Sequence, residues 1–380
     1  MPVVEEYAYF DHAAVAPLPR ASADAMQEYA RTAATHGDAK WLGWRAELEN
    51  LRGDLADLIR CQTEEVCLLN NTTHGINLVA EGIRWNPGDN VVVPDNEFPS
   101  NMIPWQNLAR LGVEIRQAQT GEDGTISADS LRPYLDRRTR LVAASWVGFA
   151  TGFRLDPSLV AQLAHEYGAF FLLDAIQGLG VFDLSVDDSG VDFVVADGHK
   201  WMLGPEGAGF LYVRNAALTD LQPVGLGWNS LASGAFDLEP GAFLLGSIKS
   251  DASRYEAGTY NMGGMQGFAQ SVRLLLQCGV CDGALEETVL ANADELVQHL
   301  SGTGVDVHAP CEGHRSGIVG ASWQGCGSGA KSLSAARKWL LDRKIVTSVR
   351  AGRLRIAAHA YNNVDEIRVL ANELARFLAS

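Results

Sequence analysis

The stretch "VVADGHKWMLGPEGAGFLYVR" (194–214) places Lys200 directly after an apolar run, between His199 and Trp201. A lysine at the end of a buried strand can simply mark the chain's return to water. Its surroundings allow more. An amine that attacks a carbonyl to form an imine must be partly desolvated to lose its proton near neutral pH, and Trp201, Met202 and Leu203 supply apolar cover. Glycines at 204, 207 and 209 let the following backbone pack closely, and His199 can donate to a nearby anion. Upstream, Asp174 ends the apolar run "AFFLLD" (169–174), with Gln177 three residues on. A carboxylate there must meet a cation or donors, or cap the next turn. Earlier still, "NNTTHGINLVAEG" (70–82) opens a helical pattern with Thr72 and Thr73. Two hydroxyls and unpaired backbone N–H groups at a helix start suit a phosphate; they also suit a plain N-cap. Taken in chain order, the anion cradle, acid, amide and imine-forming lysine describe a pyridoxal 5′-phosphate site. The acid keeps the ring nitrogen protonated, the lysine carries the aldehyde, and the helix start holds the phosphate.

These residues need a scaffold that brings strand ends together. "DNVVVP" (89–94), "GVEIRQA" (112–118), "RLVAAS" (140–145), "AFFLLD" (169–174) and "VDFVVA" (191–196) are short β-branched or aromatic runs bounded by Gly, Asp or Pro. They read as buried strands of a mostly parallel α/β sheet, where a ligand sits beyond the carboxyl ends. "DPSLVAQLAHEYGA" between two of them predicts a helix, with Asp156 as N-cap, Pro157 first, an apolar stripe of Leu159, Val160, Leu163 and Tyr167, and Gly168 as the stop. After about residue 275 the pattern changes to a helix at 283–301, a strand at 317–323, a helix at 332–343, a strand in "GRLRIAA" and a last helix from Val364. This predicts a large domain, 16–275, and a small α/β domain, 276–380, joined by the N-terminal arm 1–15.

Composition narrows the partners. A formal charge of −16 repels phosphate backbones and anionic membranes, so neither nucleic acid nor a membrane is expected. The acidic start and the absence of any long uncharged apolar run point to a cytoplasmic address. Six scattered cysteines do not form a disulfide framework, and the one CxxC, Cys278 and Cys281, reads as two semi-buried thiols on or after a helix rather than a metal site. No metal is expected. "GCGSGAKS" (325–332) approaches a nucleotide-binding loop but has Ala330 where that loop needs glycine before the lysine. A non-catalytic regulatory reading conflicts with the intact Lys200 and Asp174.

At this point the chain resembles the class V aminotransferase family of pyridoxal phosphate enzymes, in its cysteine desulfurase and isopenicillin epimerase-like branch. The likeness is carried by "YFDHAAVAPLP", "NNTTHGINLVAEG", "GDNVVVPDNEFPSNMIPWQ", "LLDAIQGLG", "DGHKWMLGPEGAGFLYVR", "RYEAGTYNMGG" and "LRIAAHAYNNVDEI". It implies fold type I, with a seven-stranded large domain. It also implies that Thr72 and Thr73 bind the phosphate with His199 beside it, that Asp174 partners the pyridinium, that Gln177 donates to the phenolic oxygen, and that Lys200 forms the Schiff base. Gly258 and Thr259 would reach the phosphate of a neighbouring subunit, giving a homodimer with shared sites. Arg355 would grip the α-carboxylate of an amino acid substrate, a task suited to its planar fork. By motif position, His12, Trp228, Asn229 and Tyr260 are candidates for the side-chain pocket, and His359 for a contribution beside Arg355.

Three departures from the family pattern bear on the reaction. Phe98 stands where many relatives stack a histidine over the ring; a phenyl can stack but cannot move a proton, which leaves Lys200 as the main proton shuttle. Asp197 replaces a phosphate-binding serine, and a carboxylate there would repel a dianion unless paired or turned away. Desulfurases carry a nucleophilic cysteine on a loop shortly before the carboxylate-binding arginine, but here that stretch is the short, cysteine-free "VTSVRAGRLR". Persulfide-forming desulfuration is therefore disfavoured. The expectation is an aminotransferase-like enzyme of L-amino acids, with C–S or other β-elimination, or epimerisation, as alternatives.

Overall fold

The computed structural model describes residues 1–232 and 248–380. Its centre is a seven-stranded sheet in the order Val66–Leu69, Gly209–Val213, Phe193–Asp197, Phe170–Asp174, Thr139–Ser145, Asn90–Pro94, Glu114–Ala118. Neighbours are parallel except around Gly209–Val213, which runs antiparallel to both flanking strands. Two reversals cancel. Val66–Leu69 therefore runs with the parallel set, and its carboxyl end opens on the same edge. The sheet is the mixed, mostly parallel α/β sheet that the apolar runs predicted.

Apart from the edge strand Glu114–Ala118, each strand buries both faces, so its side chains alternate between two cores. Val142 and Ala144 enter one apolar cluster while Leu141 and Ala143 enter the other. Helices Trp41–Ile59, Pro157–Glu166 and Met262–Gln277 cover the first face; Thr72–Gly82 covers the second. In Pro157–Glu166, Asp156 caps Ser158 N at 2.9 Å, as its sequence indicates. The stripe is narrower than expected: Val160, Ala161, Leu163 and Ala164 are buried, but Leu159 is 54% exposed. Leu159 lies on the helix's outer side, where the sheet cannot reach it.

A second, antiparallel sheet orders Ser348–Arg350, Arg353–Ala357, Ile318–Ser322 and Asp306–His308. It builds a third core with helices Leu333–Leu341 and Val364–Ala379. Phe10 joins that core, and Ala8–Tyr9 pairs in parallel with Ile345–Val346, so the N-terminal residues pack with the C-terminal ones. Helix Ala284–Leu300 spans the junction. Its Leu285 and Val289 enter the first core, while Ala293, Leu296 and Leu300 enter the third.

Two sequence features find structural uses. Lys331 of the glycine-rich 325–332 stretch donates to the carbonyl of Phe377 and to Ser380 Oγ, so it closes the end of the last helix. Cys281 is half-buried, whereas Cys278 is exposed and not semi-buried, because it caps the solvent end of Met262–Gln277. No helix among the described residues is long and apolar enough to cross a membrane.

Candidate active site

Strand register sets the floor of the site. Ser145 and Asp174 are direct partners on adjacent parallel strands, and Asp197 ends the next strand along. Beyond these ends opens a cavity of about 290 Å³. Thr72, Thr73, Phe98, Asp174, Gln177, His199, Lys200 and Arg355 all line it, although they come from positions up to 283 residues apart along the sequence, Thr72 to Arg355.

Lys200 is 8% exposed, in the turn that links Phe193–Asp197 to Gly209–Val213. The turn closes on itself through Gly198 N to Ala208 O (2.8 Å) and Gly204 N to Gly198 O (2.7 Å). A side chain at Gly204 would meet the Phe268 ring at 2.7 Å, which is why this turn needs glycine there. Burial pulls the Lys200 ammonium down to about 8; Asp174 opposes the shift and Arg355 reinforces it. Near neutrality a useful fraction of the amine is thus unprotonated.

Asp174 is 2% exposed and takes one hydrogen bond, from Ile176 N at 3.1 Å. Burial pushes its carboxyl up to about 6, with that bond and the Lys200 charge opposing. Gln177 is held at both ends: Oε1 accepts from Trp201 Nε1 (2.7 Å), and Nε2 donates to Ala13 O (2.9 Å). An amide nitrogen has a second hydrogen, so one donor remains.

At the start of Thr72–Gly82 the cap is Asn71, whose Oδ1 accepts from His74 N at 2.8 Å. Neither threonine is needed as a cap. Thr73 Oγ1 donates to Ser100 Oγ at 2.8 Å, while Thr72 Oγ1 is buried with no partner among the described residues. The incoming strand is clamped by a buried ion pair in which Arg52 Nη1 donates to Glu256 Oε1 (2.5 Å) and to Val66 O (2.8 Å), and Glu256 Oε1 also accepts from Leu68 N (2.7 Å). Asp197 is turned toward its neighbour: Oδ2 lies 3.1 Å from His199 Nδ1, without hydrogen-bond alignment, and Oδ1 has no partner among the described residues.

Arg355 is 2% exposed. Its Nε donates to Ser348 Oγ (3.1 Å), Nη1 to Phe149 O (2.9 Å) and Nη2 to Asp11 Oδ1 (3.3 Å). Of five N–H donors, two remain. Phe98 packs edge-on to Phe149 with centroids 5.2 Å apart, and Lys200 Nζ lies 5.4 Å from the Phe98 centroid.

The remaining expected residues fall elsewhere. His12 does not line the cavity: Asp11 turns toward Arg355 and opens a turn, its carbonyl accepting from Ala14 N at 3.0 Å, and His12 leaves that turn away from the cavity. There it is fully buried among Trp201, His359 and Tyr361, and burial drives its imidazole well below the usual range. His359 shares that stack, pushed down to about 4, also by burial. Neither ring faces the cavity. Asn229 Nδ2 donates to Tyr260 OH at 2.7 Å, and Tyr260 to Glu256; these two, with Trp228, Gly258 and Thr259, lie outside this chain's cavity.

Several lining residues escaped the sequence reading: Ser100, Ser145, Phe149 and Arg350. Behind them, Glu97 accepts from Ser145 N (2.6 Å), Ser145 Oγ (2.5 Å) and Asn101 Nδ2 (3.0 Å), tying the Phe98 segment to the end of Thr139–Ser145. Ser145 carried a readable signal, since it ends a parallel strand. Arg350 carried none, because its place depends on the second sheet.

The donors fit pyridoxal phosphate. Thr72 offers an unused hydroxyl at a helix start, Asp174 an under-satisfied buried carboxylate, and Lys200 a desolvated amine, all on one cavity. Comparisons with known proteins agree. Two curated relatives are a probable cysteine desulfurase of Methanothermobacter thermautotrophicus, 33% identical over 284 residues (74% of this chain, 69% of the relative), and a cysteine desulfurase of Klebsiella pneumoniae, 34% identical over 303 residues (77% and 72%). Among solved structures, a cysteine desulfurase of Thermococcus onnurineus superposes with TM-score 0.87 at 24% identity, covering 100% of this chain and 96% of that one. The cystine C–S lyase C-DES superposes with TM-score 0.89 at 22% identity, covering 98% of each chain. The model of the aminotransferase class-V family matches residues 8–368. The chain belongs to the class-V aminotransferase family, whose members are pyridoxal phosphate enzymes of fold type I.

Proposed function

We propose that this enzyme cleaves the C–S bond of an S-substituted L-cysteine by β-elimination. The reading displaces aminotransferase-like chemistry because the curated relatives act on sulfur compounds, as their names state. One observation carries it past persulfide-forming desulfuration: among the described residues no cysteine lines the cavity, and the stretch before Arg355 is a tight hairpin without a thiol. The sulfur would leave as a free thiol.

Lys200 would hold the carbonyl of pyridoxal phosphate, Asp174 its ring nitrogen, Gln177 its phenolic oxygen, and Thr72, Thr73 and His199 its phosphate. Bound there, the cofactor supplies an electrophilic carbonyl and a ring that stores the electron pair released at the substrate's α-carbon. Arg355 grips the α-carboxylate through its two uncommitted N–H groups, which fixes the α-carbon before Lys200. The Lys200 amine accepts the α-proton and returns a proton to the departing sulfur; Phe98 covers the site without competing for either. With one water consumed, the products balance as thiol, pyruvate and ammonia. Gly258 and Thr259 are assigned to a partner subunit's cofactor, which makes the working unit a homodimer.

The test is turnover of S-alkyl-L-cysteines, cystine and alanine by the holoenzyme. Thiol, pyruvate and ammonia released without a keto acid acceptor support the reading; keto acid formed only when an acceptor is present overturns it. Borohydride reduction and peptide mapping should tag Lys200.

A further inference from the structure

Arg350 lines the same cavity as Arg355 yet has no task in the chemistry above. It ends the strand Ser348–Arg350 and faces Arg353 across a two-residue turn. Both turn residues have positive φ, 46° at Ala351 and 73° at Gly352, as a tight hairpin turn demands. Alanine is costly there, and strain of this kind persists where it fixes a functional group. The register places Ser348 opposite Arg355, so Arg350 stands two positions nearer the turn, where it is exposed.

Charge sets it apart. Arg355 is paired with Asp11 at 3.3 Å, but Arg350 pairs with no carboxylate among the described residues and donates only to Val349 O, at 2.8 Å. In a chain of 46 acidic and 30 basic residues, such a guanidinium facing a cavity lacks an anion that the fold could easily have supplied. Its charge reaches both Lys200 and Arg355, disfavouring the protonated form of each. The expected phosphate cradle, Thr72 and Thr73, belongs to the other sheet's helix, so Arg350 sits with the substrate's carboxylate grip.

We infer that Arg350 is a specificity residue that pairs with an anionic group at the far end of the substrate's side chain. The inference rests on the C–S lyase reading and narrows it to an L-cysteine whose sulfur substituent ends in a carboxylate. A neutral substituent gives this guanidinium nothing to pair with, whereas an anionic one gains a charge-assisted hydrogen bond, which favours the anion. The hairpin thus presents a recognition charge where the desulfurase pattern places a nucleophile.

S-(2-carboxyethyl)-L-cysteine and S-propyl-L-cysteine are close in shape and differ in charge. With wild-type holoenzyme, kcat/KM for pyruvate release should favour the carboxylated compound by about ten- to a hundredfold. Arg350→Gln should abolish that preference by slowing the carboxylated compound far more than the neutral one, and Arg350→Lys should restore part of it. No preference in the wild type, or equal losses on both substrates in Arg350→Gln, overturns the inference. Calorimetric binding of glutarate and butyrate gives a separate readout. Absence of pyruvate from every substrate would end the lyase reading alone; glutarate binding more tightly than butyrate, and losing that advantage in Arg350→Gln, would still support the anion pocket, whereas equal binding would refute it.

Discussion

Asp174→Asn should make the cofactor-free enzyme more stable and the loaded enzyme nearly inactive. Folding buries this carboxyl with one backbone donor and raises it from an ordinary 3.8 to about 6. Because the folded value lies above the unfolded one, the native state binds the proton more tightly. Ionisation therefore costs stability as pH rises through the folded value. A gap of about two pH units corresponds to roughly 3 kcal/mol at about 1.4 per unit. Lys200 loses a nearby opposite charge in the variant, which offsets part of this, so a net gain of about 1–3 kcal/mol is expected above pH 7. Asparagine is nearly isosteric and neutral, so the gain should shrink as pH falls from 7 to 5 and vanish near pH 4. Urea unfolding of both cofactor-free proteins at half-unit steps from pH 5 to about 8 measures it. With cofactor bound the order should reverse, and turnover should fall by roughly a hundredfold or more, because the anion that holds the ring proton is gone. A variant less stable than wild type at pH 7.5, or a gap that does not change with pH, would refute the reasoning.

Thr72→Val replaces the unpartnered hydroxyl with a methyl of similar size. It should leave the cofactor-free protein's melting temperature within about a degree or two of wild type but weaken cofactor binding about tenfold, by fluorescence titration. Ala351→Gly removes a side chain from a residue at φ 46° and should stabilise by up to about 1 kcal/mol in urea unfolding. Arg52→Met strands the buried Glu256 carboxylate and should cost about 3–5 kcal/mol, with the loss reduced in the double variant Arg52→Met/Glu256→Gln.

Much of the site was legible before any coordinates. A strand-ending aspartate can be a helix cap and a strand-ending lysine a return to water, so Asp174 and Lys200 stood out only in order with Thr72, Thr73 and Gln177. Alternating helices and β-branched runs likewise declared a mostly parallel α/β sheet, because both faces of each strand must be covered. The sequence could not tell which way side chains leave the turn that begins at Asp11: Asp11 meets Arg355 while its neighbour His12 is lost in an aromatic stack. Nor could it show that Ser348–Arg350 folds back on Arg353–Ala357, so that Arg350 joins a cavity whose floor is built on the other sheet. Residue identity and local period fix which groups are buried and where chains turn. Convergence of groups from distant segments is decided by strand order and register, which exist only once the sheets have formed.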